Sequence, residues 1–132
     1  MKILILMRII VIIIFLISPT VHSACWKVAD FKGYSAKQGA SYKIDEDGLT
    51  GQEFSVQMTG KGSAVIPSND LQCTQIATYS IVCLFSEEGR GTVETWSVDP
   101  KERVAYFTKS NNGYGMFDGP VLFVGKIKGQ CQ

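Results

Sequence analysis

Beyond residue 23, no stretch of this chain sustains a helical period. Apolar residues fall instead at every second position in short runs, and each run is closed by Gly, Asn, Asp or Pro. That punctuation permits strands and little else. Phe54, Val56 and Met58 alternate with Ser55 and Gln57, so this segment should have one buried and one wet face. Thr59-Gly60-Lys61-Gly62 then turns the chain into Ala64-Val65-Ile66, and Pro67 ends that strand. The clearest hairpin has Glu94, Trp96 and Val98 alternating with Thr95 and Ser97. It turns at Asp99-Pro100-Lys101-Glu102 and returns through Val104 to Phe107. Pro fixes φ at the second turn position, which suits a type I turn.

Other expectations follow from the same grammar. Trp26, Val28 and Ala29 open the first strand. Tyr42 and Ile44 lead into Asp45-Glu46-Asp47-Gly48, which reads as a turn. Tyr79 to Phe85 is nearly continuously apolar and should be the most buried strand. Glu87 to Gly91 is the next turn, and Val121 to Ile127 is the last strand. Asp30 to Gln38 has room for one helical turn, with Gly33 and Gly39 arguing against more. The fold class expected is all-β, with about seven or eight short strands in a small antiparallel barrel or a compact two-sheet sandwich.

The chain has four cysteines, Cys25, Cys73, Cys83 and Cys131. Their spacing lacks the close pairs of a zinc site, and no metal is expected. An even count in a small exported chain reads as a disulfide framework. The pairing expected is Cys73–Cys83, a local staple across a strand pair turning near Ala77-Thr78, and Cys25–Cys131, a tie between the ends of the domain.

Export is read from residues 1–23. Lys2 and Arg8 precede an apolar run, Ile9 to Ile17, which is too short for a membrane span. Ser18-Pro19-Thr20 and a small-residue exit at Val21-His22-Ser23-Ala24 follow. This is the layout of a cleaved signal peptide, with residues 24–132 as one domain. Periplasmic or secreted location is expected, with no stable membrane span after processing. Ser23-Ala24-Cys25 also resembles the end of a lipobox, and lipidation at Cys25 is the minor alternative; His22 stands there where an aliphatic residue is usual.

His22 is the only histidine. Once the leader is removed, nucleophilic catalysis through imidazole and histidine-ligated metal are both excluded. The chain carries 13 basic and 12 acidic residues, and two of the basic ones lie in the leader. That balance argues against nucleic acid as a partner. Asp45 to Gly48 resembles half of a calcium loop, but alignment places Lys43 and Phe54 where Asp and Glu are required. The glycines from Gly113 to Gly119 do not have dinucleotide-binding spacing, and Pro120 leads into a strand rather than a helix. No cofactor is expected.

The candidate binding residues are aromatic or soft apolar side chains on Gly- and Asn-rich segments. Ser110 to Pro120 reads as a long flexible stretch carrying Tyr114, Met116 and Phe117. Lys32 to Lys37 reads as a polar loop carrying Tyr34. Such side chains offer large contact area at low ordering cost; the competing reading is that they fold back and cap an open barrel end. No catalytic residue is assigned. Ser35 beside Lys32 or Lys37 is a poor nucleophile pair on so polar a segment. Glu94, beside Trp96, is an acid for which Glu53 or Asp118 would be the partner in glycoside hydrolysis. The expected function is a non-catalytic binding module, inhibitor- or immunity-like, for a protein or glycan. A carboxylate-dependent glycan hydrolase and a passive envelope component assembled through a strand edge are the alternatives.

Overall fold

The computed structural model describes residues 24–132; the leader expected over residues 1–23 lies outside them. Eight strands run in chain order: β1 (Ala24–Ala36), β2 (Ile44–Met58), β3 (Ala64–Ile66), β4 (Gln72–Ala77), β5 (Ser80–Glu87), β6 (Arg90–Asp99), β7 (Val104–Asn112) and β8 (Gly119–Gln130). All pairings are antiparallel, and the sheet order is β3-β2-β1-β8-β7-β6-β5-β4. Consecutive strands are neighbours except β3 and β4, and the first strand pairs with the last. The result is a nearly closed up-and-down barrel with one seam, between β3 and β4. A single sheet of this order settles the choice between barrel and sandwich.

Period-two burial is cleanest on β8. Val121, Phe123, Gly125 and Ile127 point inward, while Leu122, Val124, Lys126 and Lys128 point outward. β6 directs Thr92, Glu94, Trp96 and Val98 inward. Asp30, at φ 58°, forms a bulge in β1 where the register with both neighbours shifts. A bulge bends its strand and so helps the sheet curl. The Asp30 side chain meets Lys128 on β8 at 2.6 Å, and this ammonium holds its carboxyl below the ordinary value.

Both disulfides are formed, Cys25–Cys131 and Cys73–Cys83. The first joins β1 to the residue following β8, where the Cys131 amide also donates to the Cys25 carbonyl. With its sulfur bonded to Cys131, Cys25 has no thiol left for a lipid thioether. The second joins β4 to β5 at directly opposed positions. Two disulfides point to an oxidising, extracytoplasmic compartment. Among the described residues no helix is long and apolar enough to cross a membrane.

Several local expectations are corrected. Asp45 to Gly48 is not a turn: it lies within β2, opposite Lys32 to Ser35 of β1. The chain reverses earlier, where Ser41 and Tyr42 take left-handed conformations. Lys32 to Ala36 is strand rather than loop, and the only helical turn nearby is the single 3₁₀ turn Gln38–Ala40. Gly33 is no helix breaker; a Cβ there would strike the Leu122 carbonyl of β8. β5 is not the most buried strand. Ile81 and Cys83 are buried, but Leu84 faces outward into solvent, and Tyr79 and Phe85, at the two ends of the run, are also partly exposed. The barrel's outer wall carries apolar side chains too, so an apolar run did not mean two buried faces. Ser110 to Pro120 is not one long flexible stretch: both its ends are strand, and residues 113–118 alone connect β7 to β8. The Asp118 carboxylate fixes that connection by accepting from the Gly113 and Tyr114 amides at 3.1 and 2.7 Å.

Candidate functional site at the open end of the barrel

The two halves of the barrel are filled differently. Toward the disulfide-tied ends, Val28, Met58, Ile81, Val98, Ala105 and Ile127 are all buried and close the interior. Aromatic side chains follow above them. Trp96 lies 4.5 Å from Phe107 and 5.0 Å from Phe54 between ring centroids, and Phe31 meets Trp96 edge-on at 5.8 Å. Phe31 fits because Gly125 faces it; a Cβ there would lie 2.8 Å from the Phe31 ring. Tilted and edge-on pairs at these separations are the favoured aromatic geometries.

Above this aromatic layer the inward positions become polar. Glu94 is only 5% exposed. Its Oε2 accepts from Trp96 Nε1 and from Asn69 Nδ2, both at 2.9 Å, and its Oε1 lies 3.3 Å from Lys109 Nζ. β6 and β7 place Glu94 directly opposite Lys109. Asn69 comes from the segment spanning the seam between β3 and β4, and its own Oδ1 accepts from the Leu71 amide at 3.2 Å. The cluster therefore draws on three elements, β6, β7 and the seam segment, and both carboxylate oxygens are engaged. Burial of that charge is tolerable only with such partners.

The floor and the polar cluster bound a cavity of about 350 Å³. Phe54, Trp96, Phe107 and Phe123 supply its aromatic lining; Lys37, Asp47, Glu94 and Lys109 are its charged groups, and Gln52, Ser68 and Asn69 its neutral polar ones. Asp47 Oδ2 accepts from the Ser35 hydroxyl at 2.8 Å, and its Oδ1 from the Gly48 amide at 2.8 Å. A second hollow of about 370 Å³ shares Asn69, Glu94 and Lys109 with the first and is walled by Phe85, Tyr114 and Phe117. Cavities of this size are at the small end of those that hold small molecules, and an eight-stranded barrel has an interior just wide enough for one.

The candidate binding residues separate. Tyr114 and Phe117 line the second hollow, Tyr114 beneath the Arg90 guanidinium at 5.7 Å from its ring centre. Met116 and Phe117 are 60% and 63% exposed, on the 3₁₀ turn Gly115–Phe117. They do not fold back as a cap. Met116 lies beside Gly39 of the neighbouring 3₁₀ turn. Tyr34 points outward on β1 beside a different groove, with Lys32, Glu46 and Thr50. Neither acid considered as a partner for Glu94 is in its contact set: Glu53 faces Lys27 at 4.0 Å, and Asp118 fixes its own turn. Ser35 bonds Asp47 and not a lysine. Among the described residues no three His, Cys, Asp or Glu side chains gather as a metal site.

Asn69 and Lys109 were not expected from the sequence. A signal for Lys109 was present: a turn joining Asp99 to Val104 sets a register that puts residue 109 opposite residue 94. The chain matches no family model, no curated protein and no solved structure.

Proposed function

We propose that this protein is a non-catalytic binding module, periplasmic or secreted, that engages a protein or glycan through the open end of its barrel. One observation carries the reading. An aromatic-floored cavity with a rigid polar cluster lies at the same end as the exposed side chains of Met116 and Phe117. Concave apolar sites with a few fixed polar groups are what binding proteins present. The hydrogen bonds and ion contact around Glu94 favour binding over acid–base chemistry, because each of its oxygens is already held. Recognition of an inhibitor or immunity type fits a stapled scaffold that presents a fixed surface.

Affinity capture from the native extracytoplasmic fraction tests this, with wild type beside a Tyr114→Ala/Phe117→Ala variant. A partner retained by wild type and lost from the variant, at nearly unchanged thermal stability, is the expected result. Equal capture by both proteins would remove this surface from the function.

A further inference from the structure

Among the charged side chains that line the cavity, the hydrogen-bonding capacity left over is one-sided. Every carboxylate oxygen lining it already has a partner: Asp47 holds the Ser35 hydroxyl and the Gly48 amide, and Glu94 holds Trp96, Asn69 and Lys109. The ammonium groups are not spent. Lys109 makes a single contact, to Glu94, at 3.3 Å, and half-buried Lys37 has no ion-pair or side-chain hydrogen-bond partner among the described residues. Each ammonium carries three donors and no acceptor.

The two lysines flank the start of β8 from opposite sides. Val121 pairs with Lys109 on β7 and with Ser35 on β1, and Lys37 lies two residues beyond Ser35. Below them lies the apolar floor of Phe54, Trp96, Phe107 and Phe123.

We propose that the cavity binds an amphipathic organic anion, a carboxylate with an apolar tail: its head is held by Lys37 and Lys109, and its tail rests on the aromatic floor. The proposal rests on the open-end reading above and adds the ligand class. A free small carboxylate and the carboxylate end of an apolar peptide share this chemistry. A neutral head leaves the lysine charges uncompensated, and a cationic head is opposed by them. A tail without a head gains only the floor.

The probes are octanoate, octylammonium and 1-octanol, which share one tail. Trp96 on the floor is the reporter. The second tryptophan, Trp26, is removed as Trp26→Phe; its indole nitrogen makes no hydrogen bond, so none is lost. Saturable quenching or enhancement of Trp96 fluorescence by octanoate in the millimolar range or below is expected, with octylammonium and octanol about tenfold weaker or worse, as charge-assisted bonds are the strong ones. Lys37→Gln, which breaks no side-chain hydrogen bond or ion pair of the described residues, and Lys109→Gln should each weaken octanoate about tenfold and leave octanol unchanged. Peptides ending in Leu, with a free or an amidated C-terminus, separate the two sources: only the free acid should compete with octanoate.

Equal binding of octanoate and octylammonium would overturn the proposal, as would octanoate binding indifferent to both lysine variants. Failure of octanoate to bind, with partner capture still lost in the Tyr114/Phe117 variant, would also overturn it while leaving the binding-module reading in place.

Discussion

At the scale of single residues, the position that matters most is Glu94. A carboxylate only 5% exposed is stable there because one neighbour supplies charge and two supply hydrogen bonds. Such a pair does little for net stability compared with apolar residues, but removing one partner strands the other. Lys109 is 33% exposed, so solvent screens part of the effect. Lys109→Met is expected to lower stability by about 1–3 kcal/mol, and Glu94→Gln by less, since a glutamine oxygen still accepts from Asn69 and Trp96. The double variant should be more stable than the two losses combined predict, which a denaturant double-mutant cycle measures directly.

At the scale of elements, the barrel's weak line is the seam. β3 has only three paired residues, and no ladder joins it to β4. Side chains cross the gap instead. Gln75 of β4 accepts from the Gly60 amide at 3.0 Å, and its amide nitrogen donates to the Ala77 and Thr78 carbonyls at 3.0 and 3.2 Å. Gln75→Ala should cost about 1–2 kcal/mol and raise hydrogen exchange in β3 well before the rest of the sheet, as seen by native-state exchange. Much of this element plan was legible beforehand. The β6–β7 hairpin and the inward face of Phe54, Val56 and Met58 follow from local alternation; both cysteine pairs match the expected pairing, one of three that four cysteines allow. What was misread has a common cause. Gly33 and Asp45-Glu46-Asp47-Gly48 carry turn chemistry, yet they lie in paired strands because of tertiary constraints. Gly33 makes room for the Leu122 carbonyl, and the start of β2 lies outside the β3 pairing, so its free side tolerates polar and charged residues. Of the cavity, Glu94 and Trp96 were visible as one inward face. Asn69 was not, because its position depends on how the segment after β3 crosses the seam, which no local pattern encodes.

At the scale of the whole molecule, two covalent links act on a small barrel. Cys73–Cys83 closes a separation of 10 residues and Cys25–Cys131 one of 106. On loop-closure entropy these contribute about 2.7 and about 4.7 kcal/mol. Cys25→Ser/Cys131→Ser should therefore lower the unfolding midpoint more than Cys73→Ser/Cys83→Ser, by calorimetry at one scan rate. The long link also sets how the domain responds to a pull. Cys25 and Cys131 sit on the two flanks of the barrel's closing strand pair, so tension applied outside them travels through one sulfur–sulfur bond. The folded chain between them is a ring under no load. Stretching this domain from its two ends would leave the barrel and its cavity intact until a reductant cut that bond, after which the β1–β8 ladder would be the first to bear the force.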